Sequence, residues 1–238
     1  MRVDYFLNEM KKNIKIYNLL KSNRLKTSIA GIVILFSGLT QAAVPEVLTN
    51  GRIPELDELD FIEMLNSVET GATSPLIQKF QSKEGKTRLL NGKFNPSGEC
   101  LVEAYRNKEV LLITIPAHLL FAPNQTELRA GASEYLLPLR RYLKDPDMFR
   151  VMLVMHTDNT GSEEYREQIT IDRVNSVFEW FEESGCNTQF LFSYALSDEM
   201  PLKPNDSMEN RRGNRRLEVY LVPGTKMVEQ AQKGRIAF

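Results

Sequence analysis

The sequence predicts an α/β (α+β) domain, a β-α-β-α-β core whose helices pack on a mixed sheet. Two apolar, β-branched runs lie close together between residues 99 and 121, and a third occupies 149–155. Segments with helical periodicity at 126–144 and 160–184 flank that third run. Because strands and helices alternate in this way, we expect one two-layer domain over residues 96–224.

The first two apolar runs predict a pair of strands. They read CLVEAY and KEVLLITIPAHLLF, and the polar triplet Arg106-Asn107-Lys108 falls at their junction. Such a triplet is typical of a turn, so we expect the two strands to be neighbours.

The next segment predicts a helix over Thr126–Lys144. Its apolar residues recur at three- and four-residue spacing, and Asp145-Pro146 closes it. Pro138 should kink or interrupt this helix, since proline has no amide hydrogen to donate. The apolar run at 149–155 then predicts a buried strand that leads directly to His156-Thr157-Asp158.

A second helix is predicted to begin at the capping-box pattern Thr160-Gly161-Ser162-Glu163 and to end near Ser184-Gly185. Successive 100° steps place Val174, Val177 and Phe181 on one apolar stripe, with Arg173 on its flank. A strand at 190–195, a polar loop and a closing strand at 217–222 complete the predicted domain.

The segments outside this domain are predicted to be shorter and simpler. Residues 1–26 carry seven Lys or Arg, and the uncharged stretch Thr27–Ala43 has an apolar centre of signal-peptide length. Residues 1–43 are therefore predicted to be a signal peptide cut after Ala42, or an uncleaved anchor in the inner membrane. Residues 44–95 are predicted to be a linker or small appended segment, and 225–238 a C-terminal tail.

Composition excludes several classes of function. After the basic head, residues 44–238 hold 23 Lys or Arg and 29 Asp or Glu, a formal charge of −6 that argues against nucleic-acid binding. The two cysteines, Cys100 and Cys186, form either one disulfide or two separate thiols, and neither has the spacing of a zinc site. We expect no metal, no cofactor and no catalysis, because nucleophilic triads and paired carboxylates are not evident in the sequence.

Several motifs together resemble the OmpA-like peptidoglycan-binding domain family, which includes outer membrane protein A, the peptidoglycan-associated lipoprotein and the flagellar stator B subunit. The resemblance covers about 125 residues. It rests on Leu120-Phe121 and Asn124 ahead of the first helix, the run HTDNTG at 156–161, Tyr165, Arg173-Val174 and finally Asn214-Arg215-Arg216. It implies an OmpA-like two-layer sandwich.

The resemblance also implies a ligand and a site. Asp158 and Arg173 would bind the diaminopimelate of the peptidoglycan stem peptide, whose side chain carries an ammonium and a carboxylate on one carbon. A carboxylate acceptor beside a two-pronged guanidinium matches that zwitterion. Asn124, Thr160 and Arg216 are the predicted supporting residues. Peptidoglycan is then the expected partner, together with other envelope proteins, and the expected location is the periplasm or the outer membrane.

The chain departs from the family pattern at three positions, Met155, Arg166 and Ile169. These departures motivate an alternative hypothesis, a degenerate OmpA-like scaffold that recognises a partner protein in the envelope. The leading hypothesis is a non-enzymatic module that tethers an envelope component to the cell wall.

Overall fold

The computed structural model describes residues 61–66, 74–85, 89 and 96–238, and the predicted export segment at 1–43 lies outside these residues. In the portion it describes, no helix combines the length and the apolar character needed to cross a bilayer.

A five-stranded mixed sheet organises residues 101–223, and its strand order is β1-β2-β5-β3-β4. The strands are β1 (Leu101–Tyr105), β2 (Val110–Pro116), β3 (Phe149–His156), β4 (Leu191–Ala195) and β5 (Arg216–Pro223). Within the described ranges the helices are α1 (Phe61–Asn66), α2 (Pro75–Lys83), α3 (Ala117–Leu120), α4 (Ser133–Leu136), α5 (Glu163–Glu183), α6 (Met208–Asn214) and α7 (Thr225–Gln232), with a 3₁₀ helix at Leu137–Leu143. The α/β fold class predicted from sequence is confirmed.

Strand pairing follows the connections between the strands. The β1–β2 pair is antiparallel, and the turn between them uses positive φ angles at Arg106, Asn107 and Lys108, as the polar triplet predicted. The β3–β4 pair is parallel, and α5 provides the long crossover that a parallel pair requires. β5 lies between β2 and β3 and is antiparallel to both.

The main core lies between the sheet and the helices on one of its faces. Alternate residues of β3 and β5 point into it, among them Leu153, Met155, Leu217 and Val219. From α5 the core receives Val174, Val177 and Phe181. This is the apolar stripe that the 100° steps predicted.

The opposite face of the sheet carries a buried polar cluster on β3 and β5. Glu218 accepts hydrogen bonds from Arg216 Nε at 2.7 Å and from the Tyr220 hydroxyl at 2.7 Å, and His156 Nε2 lies 3.3 Å from its carboxylate. Burial alone would raise the pKa of Glu218, but His156 and Arg216 hold it well below its ordinary value. The cluster therefore keeps one buried carboxylate ionised beside a guanidinium.

The segment 126–144 is less helical than predicted. Residues 126–132 are not helical, and Leu128 forms an isolated antiparallel bridge with Phe121. α4 has only four residues, and the chain continues as the 3₁₀ helix to Leu143. Pro138 stands at the start of that 3₁₀ helix, where its missing amide hydrogen breaks the α-helical hydrogen-bond series. The polar loop before the last strand also contains α6, a helix that the sequence patterns did not predict.

Parts of the predicted linker and tail pack on the domain. From α1, the side chains of Phe61, Met64 and Leu65 are buried, and the Phe61 ring meets Tyr220 edge-on with 5.3 Å between centroids. α2 is tied to the sheet by Gln81, whose amide donates to the carbonyls of Glu109 and Leu221.

The tail contributes α7, whose Met227 is fully buried in the main core. Cys100 and Cys186 do not form a disulfide with each other, and burial raises the pKa of the Cys100 thiol to about 12. Of the two sequence-based alternatives, the structure therefore has separate thiols.

Candidate functional site

A pocket of about 210 Å³ opens at the end of the sheet where β2 and β3 finish and β5 starts. Four parts of the chain line it: α3 with the following loop to Asn124, the loop after β3, the first half of α5, and Arg215. Asp158 and Arg173, the two principal site residues predicted from sequence, both line this pocket.

Asp158 is held at the end of β3 with its carboxylate already engaged. The residue is 2% exposed, Oδ1 accepts from the amide of Thr160 at 2.8 Å, and Oδ2 forms an ion pair with Arg215. Burial alone would raise the pKa of Asp158, but the hydrogen bonds from Thr160 and Arg215 lower it below its ordinary value of 3.8. The pocket therefore contains an ionised carboxylate at neutral pH.

Arg173 reaches the pocket from α5 and is fixed along its length. The residue is 5% exposed, its Nε donates to the carbonyl of Gln125 at 2.9 Å, and its guanidinium carbon lies 5.0 Å from the centre of the Phe121 ring. The loop after α3 and the aromatic ring thus set the orientation of the guanidinium. Burial lowers the pKa of Arg173, and the charge of nearby Arg215 lowers it further, against an opposing effect of Tyr165.

Tyr165 and Asn124 form one wall of the pocket. The Tyr165 hydroxyl donates to Asn124 Oδ1 at 3.2 Å, and Asn124 adopts a positive φ of 58°. The Tyr165 ring lies against Gly161, where an added Cβ would come within 2.8 Å of the ring. Gly161 therefore lets the ring approach the backbone closely.

Of the predicted supporting residues, the structure brings Asn124 and Thr160 to the pocket and does not bring Arg216. Thr160 does not cap α5, because the N-cap is Ser162, whose hydroxyl accepts from the amide of Tyr165. The amide of Thr160 instead orients Asp158.

Arg216 belongs to the opposite face of the sheet. It is fully buried, and besides Glu218 it donates to the carbonyls of Asn214 and Met200. The second guanidinium at the pocket belongs to its neighbour Arg215, which is part of the Asn214-Arg215-Arg216 motif but was not predicted as a site residue. Side chains alternate between the two faces of a sheet, so a shift of one residue places a side chain on the opposite face.

The three departures from the family pattern occupy different environments. Met155 is buried in the main core, whereas Ile169 lines the pocket. Arg166 pairs with Asp198 at 2.8 Å and donates to the carbonyl of Gly161 at 2.7 Å, so it links the start of α5 to the chain after β4. Two of the three substitutions therefore leave the pocket lining unchanged.

Chemically, the pocket offers one carboxylate, two guanidinium groups and the imidazole of His118 on a partly apolar wall. Among the residues that the structure describes, no group of three or more His, Cys, Asp or Glu is arranged to hold a metal ion.

Comparison with known proteins finds a family model that matches part of the chain, similar lipoproteins and a similar fold. Residues 120–215 match the model of the OmpA family. Outer-membrane lipoprotein YfiB of Pseudomonas aeruginosa is 30% identical over 103 residues, which are 43% of this chain and 61% of that protein. The probable lipoprotein YiaD of Escherichia coli is 22% identical over 122 residues, 51% of this chain and 56% of that protein. The chain thus spans less than two thirds of the length of either relative.

Among solved structures, a MotB-like protein from Desulfovibrio vulgaris superposes with a TM-score of 0.54 at 24% sequence identity. The superposition covers 63% of this chain and 95% of that protein. This likeness establishes the fold of the sheet and its helices.

Proposed function

We propose that the chain, whose residues 120–215 match the model of the OmpA family, binds peptidoglycan non-covalently through the diaminopimelate of the stem peptide and tethers an envelope component to the cell wall. The family assignment supports a peptidoglycan-associated function in the cell envelope. The observation that carries the finer proposal is that Asp158 and Arg173 line one pocket with opposite charges.

In this proposal the Asp158 carboxylate binds the ammonium of diaminopimelate. This carboxylate is held by the amide of Thr160 and stays ionised at neutral pH, so an approaching ammonium meets a fixed negative charge. A buried charge of this kind interacts more strongly with a ligand than an exposed one does, because water screens it less.

Arg173 supplies the group for a carboxylate on the same ligand carbon. Its Nε is occupied by the carbonyl of Gln125, and its position against Phe121 limits the freedom of the guanidinium. A guanidinium that is already ordered loses little side-chain entropy when it binds, which favours recognition of a small zwitterion.

The size of the pocket suits one amino-acid side chain. Its volume of about 210 Å³ is below the range of roughly 300–1,000 Å³ that is usual for drug-sized ligands. Each charge-assisted hydrogen bond contributes roughly 1.5–3 kcal/mol, so a single site binds with modest affinity. Retention on a polymer with many stem peptides would then depend on avidity.

The proposed location is the cell envelope outside the inner membrane, in the periplasm or at the outer membrane. The outer-membrane lipoprotein among the relatives supports this location, as does the export segment predicted at 1–43. A role in binding, with no catalysis, fits a pocket lined by a single carboxylate.

Co-sedimentation with isolated cell-wall sacculi tests the proposal. The full chain, purified in a mild detergent, should sediment with sacculi, and Asp158→Ala or Arg173→Ala should each abolish that. The full chain is needed because Met227 and the buried residues of α1 pack on the domain and would be missing from a fragment of residues 99–224.

Matched controls are available elsewhere in the chain. Asp172→Ala removes a carboxylate from the position next to Arg173, and Arg235→Ala removes an exposed guanidinium, and neither residue lines the pocket. Both controls should sediment like the wild type. If Asp158→Ala and Arg173→Ala sediment as well as the controls, the stem-peptide site is refuted and a scaffold that binds a partner protein becomes the better explanation.

A further inference from the structure

With Arg215 the pocket has a net positive charge, and a zwitterionic ligand group cannot neutralise it because its own net charge is zero. Among the residues that line the pocket, Asp158 is the one carboxylate, Arg173 and Arg215 each contribute a guanidinium cation, and His118 contributes an imidazole. A ligand group with one ammonium and one carboxylate leaves that balance unchanged. We infer that Arg215 binds a second carboxylate of the stem peptide, so that the pocket selects stem peptides that carry a free carboxylate close to the zwitterion. This inference rests on the proposed function.

The two guanidinium groups differ in how firmly they are held. Arg173 is buried and tied to the loop after α3, whereas the side chain of Arg215 is 40% exposed. The backbone of Arg215 is fixed, because its amide donates to the carbonyl of Arg211 and its carbonyl accepts from the amide of Ala117. The side chain can therefore change partners while its attachment point stays in place.

Ligand binding would weaken the ion pair of Arg215 with Asp158. In the free protein its NH1 donates to Asp158, the same carboxylate that the ligand ammonium is proposed to contact. An ammonium brought to Asp158 adds a positive charge beside two guanidiniums, and like charges at this range repel. A second ligand carboxylate relieves the repulsion by pairing with Arg215, so one internal ion pair is exchanged for two with the ligand.

The stem peptide offers two sources for that carboxylate. One is the carboxylate on the other end of diaminopimelate, which is free when the stem stops at that residue. The other is the α-carboxylate of the glutamate that precedes it. Amidation removes the charge of either group without removing the zwitterion, so each source can be tested separately.

Calorimetric titration of the full chain with three soluble peptides tests the inference. The reference ligand is the N-acetylated tripeptide alanyl-γ-glutamyl-diaminopimelate. In the second peptide the diaminopimelate carboxylate at the end away from the zwitterion is amidated, and in the third the glutamate α-carboxylate is amidated. In the wild type, one of the two amides should bind at least about tenfold more weakly than the reference, the equivalent of one charge-assisted hydrogen bond. In Arg215→Gln the same amide should bind within about twofold of the reference, because the partner of the missing charge is gone.

Lys203→Gln is the matched control. Lys203 lies in the same connection between β4 and β5, is exposed, and does not line the pocket, so this variant loses one positive charge and should keep the wild-type ratio. A merely structural role for Arg215 would weaken binding of all three peptides alike and leave the ratio unchanged.

Two results overturn the inference while leaving the proposed function intact: equal binding of all three peptides by the wild type, or a wild-type ratio in Arg215→Gln. Failure of the wild type to bind the reference peptide would remove the proposed function itself, and the inference with it.

Discussion

Asp158 and Arg215 form an ion pair in the pocket although 57 positions separate them in the chain. The pairing of β3 with β5 brings them together, because His156 is opposite Arg216 at the end of that pair. Asp158 follows His156 by two positions, and Arg215 precedes Arg216 by one. The register of two antiparallel strands thus determines which arginine reaches the pocket.

Gly161→Ala should destabilise the chain and weaken binding of sacculi. Gly161 has a φ of 91°, and the new Cβ would stand 2.8 Å from the Tyr165 ring, so the pocket wall must shift. The positive φ alone costs about 1–2 kcal/mol for a residue with a side chain. Denaturant unfolding measures the stability, and co-sedimentation measures the binding.

Gly185→Ala separates these two effects. Gly185 has a φ of 72° at the end of α5, but an added Cβ there meets no atom within 4 Å. This variant should lose about 1–2 kcal/mol of stability and bind sacculi like the wild type. Equal binding by both glycine variants would show that the position of the Tyr165 ring is unimportant for the ligand.

Glu218→Gln should lower the free energy of unfolding by about 3–5 kcal/mol, because it leaves Arg216 buried without a charged partner. The carboxylate also accepts from the Tyr220 hydroxyl and lies beside His156, so several buried groups lose an interaction together. Denaturant unfolding at pH 7 checks this value. Glu134→Gln, at an exposed position of α4, should change the stability by less than about 0.5 kcal/mol. If Glu218→Gln lost no more stability than Glu134→Gln, the result would argue against an ionised buried cluster.

Met227→Ala should destabilise the chain by about 2–5 kcal/mol, the usual range for truncating a buried methionine. Met227 is 0% exposed and reaches the main core from α7, in the segment predicted as a tail. Met208→Ala is the matched control, because Met208 is 81% exposed at the start of α6. Thermal unfolding of the two variants should differ clearly, and equal midpoints would mean that α7 does not pack as described.

Glu199→Gln should stabilise the chain increasingly as the pH rises from about 4.5 to above 7. Burial raises the pKa of Glu199 from 4.5 to about 7, and the charges of Asp198 and Glu167 add to the effect. A carboxyl whose pKa is higher in the folded state than in the unfolded state binds its proton more tightly when the chain is folded. As the pH rises through this range the proton is lost, and the wild type therefore loses stability. The variant, which cannot ionise, avoids that loss.

Denaturant unfolding at several pH values measures the stability gap between the wild type and Glu199→Gln. The measurements at pH 4.5 or below serve as the internal control, because the carboxyl is largely protonated there in the folded state. A gap that stays constant from pH 4.5 to 8 would contradict the raised pKa.

Sequence patterns predicted most of the sheet because its strands are buried on both faces. The runs in β2, β3 and β5 are continuously apolar or β-branched over most of their length, and the structure buries nearly every residue in them. The apolar stripe of α5 predicted the same helix that the structure has, although its N-cap is Ser162 and not Thr160. Such agreement between local signals is what makes an element predictable.

The missed elements have conflicting local signals. In the segment 126–144, the helical periodicity of the apolar residues favours an α-helix, whereas Pro138 disfavours one. The structure has the short helix α4 followed by a 3₁₀ helix. α6 is seven residues long, follows two prolines and contains Gly213, so its short pattern resembles a loop. Its N-cap Ser207, whose hydroxyl accepts from the amide of Asn210, is the local signal that could have revealed it.

The site was predictable in its residue types and less so in its geometry. HTDNTG and the later arginine predicted Asp158 and Arg173 as candidate residues, and both line one pocket in the structure. Arg215 and Arg216 are adjacent and chemically identical, so the choice between them depends on strand register, which one sequence does not specify.

The pocket and α2 lie at opposite ends of the same strands. Asp158 and Arg215 stand where β3 finishes and β5 starts, whereas Gln81 of α2 binds the backbone near the start of β2 and the end of β5. A mechanical force applied between a ligand in the pocket and the preceding part of the chain would therefore run parallel to the strands. A force along the strand axis loads the backbone hydrogen bonds between neighbouring strands together, whereas a force across the sheet would open them one after another.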